Sequence, residues 1–481
     1  MLHRREFPSP LLAWLFQFSV ILFKPFWSCL SALVSICIAT TFERRRVWKL
    51  FFKRSLLISP LLALCLLFLP FAIVGFIIRC ILYIYRNPYR LSIKHTSFNV
   101  QSCKKINEYG VATLNFCLLP EFLSRLNNLS DTHSRAKEIG KRIILDQMFY
   151  GQRNDVNDNE EIQLSLRHYI NNNPPAVMTG ITVHFPNLEF LCIQEVWQSN
   201  YSDLLVEELH KIYPYVIRDV GKYGHGSNYF LLNSGLMFAS KYEILDVDFK
   251  YFGTSCNQCV YAGKGLLMIK VLLWYEDIRT EKAVVGYLYS TQLQAYQGKV
   301  EVNDKQLDDI VKWTKEFRET TKRENDVIAF DILSGDFNFD NISPGDKNVR
   351  EHELFDVYRD EGRQSPGTDH HWTVGTEMRQ HYLYEDEVST PEGLKKCLES
   401  PLLRQQFIVD ADIEEASLDT IVYALPKTEI SPCGGKRRID LILYHVDYPV
   451  IPTRYNFVTR LTRLTDHIPV TMNFKLPTSF D

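Results

Sequence analysis

Between Ser55 and Ile78 the chain carries no charged residue. Pro60, Pro70 and Gly75 interrupt this run, yet it is longer than the ~20 residues needed to cross hydrocarbon, so a fold must give it lipid or a deep protein core. A second apolar stretch precedes it. From Leu11 to Thr41 the only charge is Lys24, and Pro25 follows it. Lys24-Pro25 is expected to cut this stretch into two arms, each too short to span.

Basic residues border both stretches: Arg4 and Arg5 before the first, Arg44, Arg45, Arg46, Lys49, Lys53 and Arg54 between them, and Arg79, Arg86 and Arg90 after the second. Two full spans would set the most basic loop opposite both flanks, against the positive-inside tendency. Two hairpins that dip in and return would keep every cluster on one face, against anionic headgroups. The expectation is therefore re-entrant hairpins, in preference to spans or to a buried soluble helical pair. A cleaved signal peptide fits poorly, because apolar sequence continues far past any h-region. Residues 1–99 are assigned to this membrane region, with hydrophobic segments at about 11–41 and 55–79, and residues 100–481 to a soluble domain.

Over the whole chain a net charge of −3 supplies no overall basic field to draw it onto nucleic acid. The 11 cysteines lack paired spacings apart from Cys256-x-x-Cys259, which has no second ligand pair nearby and so is a poor zinc site. Those in apolar runs, Cys117 and Cys192 among them, suit a reducing compartment.

Polar residues recur at the ends of apolar strands. Residues 111–119 form the first expected strand, with Asn115 inside it. A helix is expected over 134–145, and 146–183 is polar, Asn-rich and assigned to a linker or loop. The strand 188–197 ends on Glu195, a carboxylate too costly to bury without a cation or a basic partner. A helix over 202–212 follows. Asn233 opens a short strand over 233–242, and 284–290 leads into Thr291-Gln292. After an amphipathic helix carrying Leu307, Ile310 and Phe317, the strand 327–333 ends at Gly335, with Asp336 and Asn338 just beyond the turn. A helix around 391–400 precedes Arg438-Ile439-Asp440, which opens another strand, and Asp466-His467 precedes the last.

Strand alternating with helix is the rhythm of a layered α/β domain. Polar groups on separate strands converge on one cleft at a sheet edge. Asn115, Glu195, Asp336, Asn338, Asp440, Asp466 and His467 offer one imidazole, hard carboxylate oxygens and amide donors, an inventory for metal-assisted attack of water on a phosphodiester. No Gly-rich phosphate loop with a Lys points to nucleotide chemistry.

Taken in order, these motifs resemble the endonuclease/exonuclease/phosphatase superfamily. Within it, RLNNLSDTHSRAKEIGKRI (125–143), NSGLMFAS (233–240), LSGDFNFDN (333–341), LYEDEVSTPEGLKKCLES (383–400) and LTDHIPV (464–470) resemble the membrane-anchored neutral sphingomyelinases of the type-2 and mitochondria-associated kind. The match runs from about residue 110 to the end. The resemblance implies an α/β (α+β) fold, a four-layer αββα sandwich like that of deoxyribonuclease I. It implies hydrolysis of sphingomyelin to ceramide and phosphocholine with Mg2+, for which Mn2+ can substitute. By the same resemblance Glu195 is the metal ligand, with Asn115 close to metal and phosphate. Asp336 orients the water, Asn338 holds a phosphoryl oxygen, and His467 is the acid–base group, with Asp440 and Asp466 available to fix its tautomer. Asn233, Lys264 and Gln292 fall at substrate-binding positions.

Two positions depart from the family pattern. Gln292 stands where the family has His, and can donate a hydrogen bond but not a proton. Cys259 stands at the Asp of an Asp–Lys pair of which Lys264 remains. A catalytically weakened, lipid-binding relative is thus an alternative to an active enzyme; a nuclease or inositol-phosphate phosphatase is a third, disfavoured by charge and membrane segments. The partners implied are sphingomyelin and anionic phospholipid, with no nucleic acid. The domain is expected to face the cytosol, at Golgi, plasma or mitochondria-associated membrane, because a glycan at the sequon of Asn341 would obstruct the site.

Overall fold

The computed structural model describes residues 2–94, 106–155, 177–221, 224–225, 228–277, 279, 282–295, 301–414 and 428–477. The strands of its two large sheets are β1 (Arg90–Ile93), β2 (Tyr109–Leu118), β3 (Met178–Thr182), β4 (Phe190–Val196), β5 (Tyr215–Arg218), β6 (Met237–Ser240), β7 (Ile244–Tyr251), β8 (Gly265–Asp277), β9 (Lys282–Gln292), β10 (Val327–Asp336), β11 (Tyr358–Asp360), β12 (Asp440–His445), β13 (Ile451–Val458) and β14 (Val470–Lys475). An eight-stranded sheet has the order β1-β5-β6-β4-β2-β14-β13-β3, and a six-stranded sheet the order β11-β12-β10-β9-β8-β7.

The central strands are buried on both faces, which is why they are continuous apolar runs rather than alternating ones. Inner faces of the two sheets meet through aromatic side chains: the Phe330 ring lies 5.8 Å from that of Phe190 and 5.2 Å from that of Phe474. Helices α4 (Thr132–Asp155) and α5 (Ser199–Leu209) cover the outer face of the larger sheet with Ile139, Ile143, Leu205 and Leu209. Helix α6 (Glu301–Thr321) covers the smaller one with Leu307, Ile310 and Phe317. The result is the four-layer αββα sandwich. Two parallel pairs, β2 with β4 and β9 with β10, send strand ends to one edge of the molecule.

Three boundaries differ from the sequence expectation. Residues 90–93 pair with β5 as the edge strand of the larger sheet, so the sandwich begins before residue 99. The stretch assigned to a linker from 146 starts inside α4, which runs to Asp155, and ends in β3, which pairs with β13; its middle, 156–176, lies outside the described residues. In the third, neither apolar stretch turns back on itself. Helix α1 (Pro10–Cys37) continues through Pro25, and α2 (Val47–Tyr83) through Pro60 and Pro70. A proline forfeits its own N–H bond, but where apolar surroundings offer the backbone no water the remaining helical bonds hold.

Together α1 and α2 make one antiparallel hairpin. Phe16 meets Tyr83 with ring centroids 5.6 Å apart near one end, and Arg54 Nη2 donates to the Cys37 carbonyl at 3.0 Å at the other. Gly75 permits the close crossing, since a Cβ there would sit 2.8 Å from the Ser19 carbonyl oxygen. Both helices are long and apolar enough to cross a membrane, and only 11% and 17% of their most apolar windows are buried, which distinguishes them from core helices.

The hairpin is fastened to the sandwich at both ends. At the turn, Arg125 from α3 (Glu121–Leu126) pairs with Glu43 at 2.6 Å and donates to the Ile38 carbonyl at 3.0 Å, while Asn128 accepts from the Thr41 N–H at 2.7 Å. At the open end, Arg86 joins Glu6 at 2.9 Å to the carbonyls of Gly221 and Asp219 at 2.6 and 3.0 Å.

Candidate active site

Register brings the site together. Gln292 on β9 lies opposite Asp336 on β10, which lies opposite Asp440 on β12, placing three side chains abreast at one sheet edge. Asn115 on β2 faces them from the other sheet. Its Nδ2 lies 3.0 Å from Asp336 Oδ2, 3.2 Å from Glu195 Oε1 and 3.3 Å from His467 Nε2. Gln292 Nε2 donates to the same two carboxylates, at 2.7 Å to Glu195 Oε1 and 3.2 Å to Asp336 Oδ2. Both amides therefore bridge one pair of acids. His467 Nδ1 is 2.9 Å from Asp440 Oδ2, which fixes the ring and leaves Nε2 toward the cleft.

The backbone is strained around this cluster. Glu195 has φ +63°, Asn338 φ +56° and Cys117 φ +48°, a left-handed conformation uncommon for these side chains and typical of sites that over-determine it. At Cys117 the strain follows a register shift between Asn115 and Leu118. The freed Cys117 N–H donates to Asn115 Oδ1 at 3.0 Å. With Oδ1 accepting from Cys117, the Asn115 NH2 faces the cleft, and any metal at Asn115 would take the second lone pair of Oδ1.

Asn338 donates through Nδ2 to the Leu293 carbonyl at 3.1 Å, and its N–H donates to Asp336 Oδ1 at 3.0 Å. Lys264 Nζ donates to that same carbonyl at 2.7 Å. Asp466 does not share the histidine's Nδ1: its Oδ2 accepts from Gln380 at 3.0 Å. Asn233 is buried and caps its own turn by accepting from the Gly235 N–H at 3.0 Å. It is not among the residues that line the cleft, although Leu231 and Leu232 just before it are. Cys259 and Lys264 both line it.

Electrostatics match the crowding of acids. Burial, then Asp466, raises the Glu195 carboxyl. Burial pushes Asp336 up to about 6, with Asp440 adding to it. Burial alone would lower His467, but Asp440, as charge and as hydrogen-bond acceptor, then Asp336 and Asp466, hold it well above the ordinary imidazole range.

A divalent cation fits these residues. Ligand atoms of Asp336, Asp440 and His467 lie within 4.8 Å of one another. Asp440 Oδ1, Asp466 Oδ1 and Gln292 Oε1 are buried without a hydrogen-bond partner, oxygen donors of the kind hard cations take. Glu195 and Asp336, sharing two amide donors, flank a common point where positive charge would relieve both.

The sequence reading missed a supporting network. Arg437, 2% exposed, donates to the Asn338 carbonyl at 2.9 Å, to Asp340 Oδ2 at 2.9 Å and to Glu377 Oε2 at 2.7 Å. Thr376 Oγ1 accepts from the N–H groups of Ile439 and Asp440 at 3.0 and 3.1 Å, and the backbone around Glu377 pairs with that around His467, the Met378 N–H donating to the Asp466 carbonyl and the Ile468 N–H to the Thr376 carbonyl, each at 2.8 Å. This network ties the Asp336–Asn338 turn to the Asp440–His467 pair. Its only sequence signal was the Arg437-Arg438 doublet before Asp440.

A two-sheet αββα sandwich with this cluster at its open end places the chain in the deoxyribonuclease I-like class. Comparison with known proteins narrows that further. The chain is 31% identical to sphingomyelin phosphodiesterase 5 of Danio rerio over 96% of its own length and 95% of that protein. It is 36% identical to sphingomyelin phosphodiesterase 3 of Homo sapiens over 61% of its length, a match spanning 45% of that longer protein. The chain belongs to the sphingomyelin phosphodiesterase family. No family model matches it. Among solved structures, sphingomyelinase C from Streptomyces griseocarneus aligns with 14% identity and TM-score 0.42, covering 76% of this chain and 99% of that one. A magnesium-bound β toxin of Staphylococcus aureus aligns at 13% and 0.41 over the same shares.

Proposed function

We propose that this chain is a magnesium-dependent neutral sphingomyelin phosphodiesterase that releases phosphocholine and leaves ceramide in the membrane. The observation that carries it is the row Gln292–Asp336–Asp440 with His467 held on Asp440 and Glu195 across the cleft. Asp336 would orient the attacking water, and Asn338 and Asn115 would offer N–H donors to phosphoryl oxygens. His467 would exchange a proton at Nε2, its tautomer fixed by Asp440. Glu195, with Asp336 beside it, would hold the ion, which when bound supplies positive charge to the phosphate. Gln292 can donate to the phosphate but cannot protonate the leaving oxygen.

The membrane reading is likewise ours. With both hairpin ends fastened to the sandwich, the hairpin lies along the domain, an arrangement that would let the basic residues at its two ends meet one leaflet. The face is inferred to be cytosolic and rich in anionic phospholipid. Of the three sequon asparagines, Asn341 and Asn128 (in Asn128-Leu129-Ser130) are buried and spend their amide N–H internally, Asn341 on Ser365 and Asp369, Asn128 on Thr41 and Gln380, while Asn200 is exposed.

The test is phosphocholine release from sphingomyelin vesicles containing phosphatidylserine, with and without magnesium, for wild type, Glu195→Ala and Gln292→His. Magnesium-dependent turnover abolished by Glu195→Ala is expected. No turnover in wild type but gain on Gln292→His would mark a silenced relative instead.

A further inference from the structure

One cavity of about 2210 Å³ joins the catalytic residues to the hairpin: Glu195, Asp336 and His467 line it on one side, and α1 lines it on the other. The lining positions of α1 recur every three or four residues, so they form one face of the helix. On that face lie Gln17, Lys24, Ser28, Ser31 and Ser35. The remaining polar hydroxyl of α1, Ser19, is turned to the helix crossing and donates to the Phe16 carbonyl at 2.6 Å. The outward face carries Leu11, Trp14, Phe18 and Ile21, all exposed. Thus a helix apolar enough to lie in lipid keeps its polar seam for the cavity that ends at the carboxylates.

Lys24 stands out in this seam. Among the described residues it makes no ion pair or hydrogen bond, and it is exposed on the cavity side. A lone ammonium on an apolar helix is costly and marks a route for a charged group. Phe23, Trp27, Phe122 and Trp197 line the same space and offer apolar walls beside the polar floor.

We propose that α1 roofs a lateral entry track along which a bilayer lipid carries its phosphodiester headgroup to the catalytic cluster. Lys24 binds the phosphate on the way, and the chains stay against the aromatic walls and the lipid. The substrate then reaches the site without leaving the membrane. This rests on the sphingomyelinase reading of that site.

The test compares wild type, Lys24→Leu and Lys24→Arg on bilayer sphingomyelin and on a water-soluble phosphocholine ester. Lys24→Leu should lower kcat/KM on the bilayer substrate roughly ten-fold, the scale of a lost charge-assisted hydrogen bond, and leave the soluble substrate unchanged, with Lys24→Arg restoring most of the loss. Equal effects on both substrates, or none on either, would overturn the track. A second measurement does not depend on turnover. In vesicles, sphingomyelin bearing a photoreactive group near its headgroup should label the seam at 17–31. Labelling confined to the outward face would refute the track, while absent turnover of both substrates by wild type would refute only the sphingomyelinase reading.

Discussion

In the sandwich, Phe190, Phe238, Phe330 and Phe474 are wholly buried, whereas in the hairpin Trp14, Ile21, Leu56 and Leu66 are each more than 60% exposed. The residue types are alike. The sandwich closes its apolar faces on one another, so its order is set from within. The hairpin presents its apolar faces outward, where the proposed membrane would cover them, yet its ends are held to the domain by Arg125 on Glu43 and by Arg86 on the carbonyls of Gly221 and Asp219. An apolar run therefore says how much surface must be removed from water, and only the surroundings say what removes it.

The sharpest way to separate the two regions is to disable one without touching the other. Asp336→Asn or His467→Ala should reduce phosphocholine release by 10³-fold or more, with vesicle flotation unchanged. Loss of flotation in either variant would mean that the site and the hairpin are not separable.

Next in size is the network under the site. Arg437→Met leaves Asp340, Asp346 and Glu377 buried without their cation, which should cost about 3–5 kcal/mol of stability. A thermal melt shifted by no more than a surface substitution would refute the bracing role. The hairpin should be less sensitive. Replacing Leu66, Leu67 and Phe71, all outward, with Gln should weaken flotation, each side chain giving up roughly 2 kcal/mol of transfer free energy, without lowering the melting temperature.

A pH test reports on the sandwich alone. Burial, then Asp340, pushes the Asp346 carboxyl up to about 7. A carboxyl raised on folding stabilises the protein below its unfolded value near ~3.9, and that contribution is lost as pH rises to about 7. Wild type should lose up to about 1.4 kcal/mol per pH unit across this window relative to Asp346→Asn; parallel melting curves for the two would contradict the assignment. The smallest effect is expected at the fastening. Arg125→Ala should cost about 1–3 kcal/mol locally and be seen as faster hydrogen exchange at residues 38–46, with β2 and β10 as protected as before.

How much could be seen beforehand varied with the element. Strands β2, β4 and β10 were legible because burial on both faces demands continuous apolar runs. Asn115, Glu195, Asp336 and His467 were legible because a polar side chain at the end of such a run is costly unless used. Asn233 had the same appearance, yet its side-chain carbonyl caps its own turn, and sequence does not reveal which way such an amide points. Pro25 looked like a break because propensity is calibrated in water. Arg437 was overlooked because a basic doublet resembles any solvated pair until its carboxylates, drawn from segments 60 to 100 residues away, are seen around it.

The sequence by itself determined the layered α/β class, the two apolar stretches, the family and several of the polar side chains that meet at the cleft, because periodicity, burial cost and motif order are local properties. Only the tertiary structure decided that Gln292, Asp336 and Asp440 stand abreast, that Asn115 Oδ1 accepts from the Cys117 N–H, and that the polar seam of α1 faces the catalytic cavity. Those depend on strand register, one backbone irregularity and the docking of a helix at both ends, which are set by contacts between residues far apart in the chain.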